Sequence, residues 1–170
     1  MPHPAPEPSV TDAIDLSIAA EDPLAPDLDL IFRRHAAEMH ADTPPESIHM
    51  LPRAALASAQ IDFFVLRRQG RAVAIGALKR WGGHQGEVKS MHVLAEHRGQ
   101  GLSRLMLRHL IAHARDAGLS DLWLETGSQT GFAAARGLYL RAGFAECPPF
   151  GDYRPDPNSV YMTRRLQDVA

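Results

Sequence analysis

Between Gly86 and Gly118 the chain reads GEVKSMHVLAEHRGQGLSRLMLRHLIAHARDAG, and the order of patterns inside that stretch restricts the fold more than any other feature. Gly86 to Val93 carries no helical stripe, gathers Val88, Met91 and Val93 close together, and meets a turn at Ala95-Glu96-His97, which predicts a strand. Leu102, Leu105, Met106, Leu110, Ile111 and Ala114 then repeat at helical spacing, and Gly118 closes that helix. Between strand and helix lies Arg98-Gly99-Gln100-Gly101-Leu102-Ser103, so the chain must accommodate a strand, a glycine turn and a helix in that order.

A helix that begins directly after a glycine-rich turn leaves its first backbone N–H groups without partners and presents the positive end of its dipole there, which suits a phosphate. Gly99 and Gly101 let a ligand approach the backbone, and Arg98 adds a fixed charge matched to a pyrophosphate or a 3′-phosphate. The turn therefore predicts a site for a phosphorylated small molecule, with an ordinary capped turn as the plain alternative. A GxG after a strand also opens the dinucleotide fingerprint, and Asp121 stands about twenty residues on, where that fold places an acid for the ribose. Against this, the third glycine position is Arg104, and the motif sits in mid-chain behind several strands. No Gly-Lys-Ser/Thr follows the turn, which excludes a P-loop.

The flanking sequence supplies the rest of an α/β domain. Residues 1–11 are proline-rich and read as a mobile tail ahead of one domain over 12–170. Ala13 to Ala20 alternates as a first strand. Leu24, Leu28, Ile31, Phe32, His35, Ala36 and Met39 recur as a helix that the loop from Ala41 to Ser47 breaks. A short helix over Pro52 to Ser58 precedes strands at Ile61 to Arg67 and Arg71 to Arg80, turned at Gln69-Gly70. Leu122 to Glu125 reads as a short buried strand, Phe132 to Ala142 as a helix stopped by Gly143, and Val160 to Leu166 as the last strand. That order predicts a mostly antiparallel sheet with one parallel pair, made by the strand-helix-strand crossover.

Composition narrows the function. A net charge of −2 leaves no footprint for nucleic acid or an anionic membrane, and no apolar stretch approaches the roughly 18 residues of a membrane span. The N-terminus lacks the basic start of a signal peptide, and the single cysteine, Cys147, cannot form an internal disulfide, so a cytoplasmic protein is expected. Of the nine histidines, His109 and His113 share a helix face, but no third ligand is positioned, and no metal is expected.

Arg98-Gly99-Gln100-Gly101-Leu102-Ser103 resembles the Q/R-x-x-G-x-G/A signature of the GCN5-related N-acetyltransferases (GNAT), and a strand ending Met91-His92-Val93 precedes it as in that family. Ala135-Arg136-Gly137-Leu138-Tyr139-Leu140-Arg141-Ala142-Gly143-Phe144 resembles the family's A-x-x-L-Y-x-x-x-G-F element, in the right order and at the right separation. The resemblance covers about residues 60 to 166. Leu124-Glu125-Thr126-Gly127-Ser128, Pro149-Phe150-Gly151-Asp152-Tyr153 and Ser159-Val160-Tyr161-Met162 draw it towards the YsnE-like branch.

The resemblance implies a GNAT fold, a mixed and mostly antiparallel central sheet flanked by helices, whose parallel pair splays apart to admit the thiol-bearing arm of acetyl-CoA. Backbone groups of Met91 and Val93, with His92 between them, would then line the arm. Amides of Gly99, Gln100, Gly101, Leu102, Ser103 and Arg104 would hold the pyrophosphate beside Arg98. Phe132 stands where the family commonly has an asparagine that contacts the arm.

The implied activity is acetyl transfer from acetyl-CoA to the primary amine of a small molecule by a monomer or homodimer. A protein or peptide amine is the competing acceptor, and a non-catalytic acyl-CoA-binding module is the competing class. Direct attack needs a neutral amine, a stabilised oxyanion and a protonated leaving thiolate, and no protein nucleophile. Gly127-Ser128-Gln129-Thr130-Gly131 agrees, its serine falling one position early for a G-x-S-x-G elbow. Tyr139 matches the tyrosine that the family places near the thioester sulfur, and a phenol can protonate a departing thiolate at neutral pH. Among candidate bases Glu87 ranks first, Glu125 second and His92 third. A regular pleat would put Lys89 beside Glu87 and turn His92 to the opposite face. The polar loop holding Asp152, Tyr153, Arg154, Asp156 and Asn158 and the histidines at 35, 40 and 49 are expected to border the acceptor.

Overall fold

Gln69 and Gly70 both take positive φ, 50° and 78°, the backbone that a two-residue hairpin turn requires. This turn folds β2 (Ile61–Arg68) back on β3 (Arg71–Trp81), and a second turn at residues 82–84 brings in β4 (Gln85–Val93). In this computed structural model, which describes residues 15–166, the sheet is completed by β1 (Leu16–Ala20), β5 (Asp121–Gly127), β6 (Ala145–Cys147) and β7 (Ser159–Arg165). The strand order is β1-β2-β3-β4-β5-β7-β6, and every pair is antiparallel except β4 with β5.

The crossover between the parallel strands carries α2 (Leu102–Asp116), which buries Leu102, Met106, Leu107, Leu110, Ile111 and Ala114. Leu105, placed on that stripe from the sequence, is 38% exposed, and Leu107 takes its place in the core. Together with Tyr139 and Phe144, this face packs on Leu66, Leu78, Val88, Leu122, Leu124 and Met162 of the sheet. On the other face, α1 (Asp29–Asp42) sets Ile31 against Phe63, Val65, Ile75 and Ala77, with Leu28 and Leu56 closing the layer. The sheet is thus covered on both sides, and burial of these apolar side chains is the main force holding it.

Differences from the sequence reading lie at short elements. Pro26 opens a 3-10 turn over Pro26–Leu28, so α1 starts only at Asp29. The short helix expected over Pro52 to Ser58 is a 3-10 turn at Arg53–Ala57. β6, three residues long, was not anticipated. The expected proline-rich tail and the first residues of the expected first strand lie outside the described residues. α3 (Ala133–Arg141) stops before Gly143, as the sequence required. Among the described residues no helix is long and apolar enough to cross a membrane.

Candidate active site

β4 and β5 pair only at Gln85↔Asp121, Gly86↔Leu122 and Glu87↔Trp123. Beyond these rungs the strands part, and the backbone from Val88 to Val93 borders an opening in the sheet instead of a neighbour. A cavity of about 320 Å³ occupies the wide end, between Met91, Val93, the glycine turn, Phe132 and Tyr139, with His35, Glu38 and Asp42 of α1 above it. A second, about 120 Å³, lies deeper between Glu87, Met91, Glu125, Phe132 and Tyr139. A third, about 470 Å³, opens beyond Glu87 and Lys89 under residues 151–156. Neighbouring cavities share lining residues, Met91 and Tyr139 for the first two and Glu87 and Lys89 for the last two, so the three stand in a row across the sheet.

At the wide end, Gly101 is the N-cap of α2 with φ 77°, a left-handed conformation that glycine adopts at little cost, and no side chain among the described residues caps the helix. The first helical bond runs from the Leu105 N–H to the Gly101 carbonyl at 3.1 Å, so the amides of Leu102, Ser103 and Arg104 lie ahead of it. A Cβ placed on Gly99 or Gly101 would meet no described residue within 4 Å, which leaves room for a ligand against the backbone. These features fit a diphosphate.

Two side chains near the turn are already engaged. Arg98 donates from Nη2 to both oxygens of Glu38, at 2.9 and 2.7 Å, and from Nε to the Val93 carbonyl at 3.0 Å. Gln100 accepts from Arg68. The guanidinium of Arg104, exposed in the first turn of α2, has no partner among the described residues.

The β3–β4 register runs Leu78↔Val88 and Ala77↔Lys89, then jumps to Ile75↔His92 and Ala74↔Val93. One extra residue in β4 is absorbed at Ser90, which takes φ 55°, a conformation uncommon outside glycine. The bulge reverses the alternation. Val88 faces the α2 layer, and so do Met91 and Val93, which leaves His92 on the same face as Glu87. The expectation that these two residues point to opposite faces is therefore corrected, because the pleat is not regular.

Glu87 is buried, with Oε2 accepting from the Tyr153 hydroxyl at 2.6 Å and from Lys89 Nζ at 3.2 Å. Lys89 lies beside it as expected. Burial, and then the charge of Glu87, push the Tyr153 phenol far up. Glu125 accepts from the Ser159 hydroxyl at 2.8 Å, and burial raises its carboxyl above the usual range. Tyr139 is buried and its hydroxyl makes no hydrogen bond to a described residue. Burial, with a smaller contribution from the charge of Glu125, raises its phenol. The structure thus brings Glu87, Glu125 and Tyr139 around one cavity.

His92 stacks on His35 with ring centroids 4.8 Å apart, its Nδ1 is 3.9 Å from Glu38, and its buried Nε2 has no partner among the described residues. Burial lowers both imidazoles to about 4, which keeps them neutral at pH 7. Phe132 packs against Gly127, where a Cβ would lie 2.3 Å from its ring. His113 bonds Asp62 of β2 at 2.9 Å and sits edge-on to Phe64, where α2 meets the sheet. His49 borders the deeper cavities, whereas His40 turns back to bond the Ala36 carbonyl. Cys147 lies partly buried in β6, with its thiol raised by burial. The partnership of Tyr153 with Glu87 and that of Glu38 with Arg98 had no local sequence signal, since each joins residues about sixty positions apart.

The profile of the Acetyltransferase (GNAT) family matches residues 28–144. The chain is 40% identical over 136 residues to the uncharacterized N-acetyltransferase YsnE of Bacillus subtilis, covering 80% of this chain and 90% of that protein. It is 37% identical over 150 residues to the uncharacterized N-acetyltransferase YedL of Escherichia coli, covering 88% and 94%. A solved Klebsiella pneumoniae protein assigned as an acyl-CoA N-acyltransferase superposes with a TM-score of 0.74 at 29% identity, over 89% of this chain and 98% of that one. YncA of Salmonella typhimurium, solved with acetyl-CoA, shares the fold at a TM-score of 0.67 and 22% identity, over 91% and 96%.

Proposed function

Because the chain belongs to the acetyltransferase (GNAT) family and is an N-acetyltransferase, we propose that it moves the acetyl group of acetyl-CoA to the primary amine of a small molecule in the cytoplasm. The observation that carries this reading is the opening between β4 and β5, with uncapped helix amides at one end and a buried carboxylate, a partly buried one and a phenol at the other. The amides of Leu102, Ser103 and Arg104 and the Arg104 guanidinium hold the diphosphate, and the edge from Met91 to Val93 lines the arm. Acetyl-CoA supplies the activated thioester.

Glu125 is the better base. Glu87 already holds the Lys89 ammonium and the Tyr153 hydroxyl, whereas burial makes the Glu125 carboxylate more basic. Glu125 removes a proton from the acceptor ammonium, directly or through one water, leaving a neutral amine. The amine nitrogen bonds the acetyl carbon as the bond to sulfur breaks, the Tyr139 hydroxyl gives its proton to the leaving sulfur, and the proton that the nitrogen loses as it becomes an amide returns through water to the Tyr139 phenolate. Glu87 acts as a positioning residue that fixes Lys89 and Tyr153 at the mouth of the acceptor cavity. A concave space of about 470 Å³ on that side has the size of small-molecule sites, which favours a small amine over a folded protein.

The test is a panel of small amines and of peptides with free N-termini or lysines, incubated with acetyl-CoA and the purified chain, with products identified by mass. Acetylation of small amines is expected. Transfer only to peptides would move the reading to a protein acceptor, and CoA binding without transfer would leave a non-catalytic module.

A further inference from the structure

The cavity beyond Glu87 holds charges of both signs, and part of them is used internally. Lys89 spends its three N–H groups on Glu87 at 3.2 Å, the Tyr153 hydroxyl at 2.9 Å and the His49 carbonyl at 3.2 Å. Asp156 accepts from the Asn158 backbone amide at 2.8 Å. Four lining side chains remain, Lys79 and Arg154 against Glu46 and Asp152, and none has a hydrogen bond or ion pair among the described residues. Their charges sum to zero, as do those of Lys89 and Glu87, and Asp156 is the one charge left over.

Lys79 differs from the other three. It is partly buried, whereas Arg154, Glu46 and Asp152 are exposed. It stands directly opposite Glu87 across the β3–β4 pair, so both side chains leave the sheet on the same face. An ammonium partly withdrawn from water, without an internal counter-ion, attracts an anion more strongly than an exposed one does.

We propose that the acceptor is an amino acid whose carboxylate is held by Lys79 while its amine lies past Glu87, towards Glu125 in the adjoining cavity. This rests on the N-acetyltransferase reading above. A zwitterion carries both signs and no net charge, which matches the four unused side chains. A phosphate dianion would meet a single partly buried cation and two acids, and fits less well. Trp81 and Tyr153 line the same cavity and offer apolar surface to the amino-acid side chain.

The experiment compares each of the proteinogenic L-amino acids with its carboxamide, which keeps the amine and side chain and removes the negative charge. With acetyl-CoA and the full chain, at least one amino acid is expected to exceed its amide about 10- to 100-fold in kcat/KM, the range of one charge-assisted hydrogen bond. Lys79→Met is expected to bring that ratio close to one through KM, and Lys79→Arg to restore most of it. A merely structural lysine would lower both members of a pair alike and leave the ratio unchanged. Amides matching acids, a ratio indifferent to Lys79→Met, or transfer confined to amines outside the set would each overturn the proposal while leaving the acetyltransferase reading intact. Absence of thermal stabilisation by CoA, together with absence of any transfer, would overturn both.

Discussion

Tyr139→Phe removes one hydroxyl from the middle of the opening and leaves the ring where it is. The ring is 7% exposed and sits edge-on to Phe144 at 5.9 Å, contacts that phenylalanine keeps. Because the hydroxyl has no partner among the described residues, none is left unsatisfied, and the stability change is expected to stay below about 1 kcal/mol, or about 2–4 °C in Tm. The chemical effect is of another size. A general acid contributes about 10²- to 10⁴-fold, or about 3–5 kcal/mol at 1.36 kcal/mol per decade. The raised pKa keeps the phenol protonated throughout neutral pH, so the proton is available. Steady-state release of CoA thiol measures kcat, calorimetry measures CoA affinity, and a thermal melt measures folding. We expect kcat to fall at least about 100-fold, with CoA affinity unchanged. A variant retaining more than about a tenth of the wild-type kcat would remove Tyr139 from the chemistry, and a large loss in Tm would assign it to packing instead.

Glu125 accepts a proton only when ionised, and burial raises its carboxyl, so kcat/KM is expected to fall as pH drops through that raised value. Glu125→Gln should abolish the acidic limb of the pH-rate profile. Glu87→Gln removes the carboxylate paired with the largely buried Lys89 ammonium and should show mainly as lost stability, on the order of 3 kcal/mol in urea melts. His35 and His92 are held at about 4 when folded, against 6.5 ordinarily, so the unfolded chain binds more protons between those values. Stability therefore declines as pH falls from 6.5 towards 4, by up to about 3 kcal/mol for each imidazole, and His92→Gln should flatten the slope. Gly127→Ala would put a methyl 2.3 Å from the Phe132 ring, and displacing that ring is expected to cost about 1–3 kcal/mol in a thermal melt.

The parts of the fold that could be read in advance are those with a local cause. The glycine turn, the stripe of α2 and the crossover to β5 follow from spacing, and Tyr139 follows from a motif ten residues long. What escaped reading depends on distant or unmarked features. Ser90 carries no glycine or proline signal, yet its positive φ decides which face His92 occupies. Arg98 looked free to meet a phosphate, but its partner Glu38 lies sixty residues away on α1. Tyr153 was expected near the acceptor, whereas its bond to Glu87 depends on the loop folding back over β4. β6 is too short for its three residues to show a period.

The extra residue in β4 has a further effect on design. Glu87 and the arm-lining edge of the opening are carried by one strand, from Glu87 to Val93, a span of roughly 20 Å. Their spacing is therefore set by the length of a hydrogen-bonded ribbon and not by the posture of a loop. An inhibitor that joins an acceptor mimic to a CoA mimic could be cut to a fixed tether, whereas adding or losing one residue at Ser90 would turn the distal half of the ribbon over and spoil that fit.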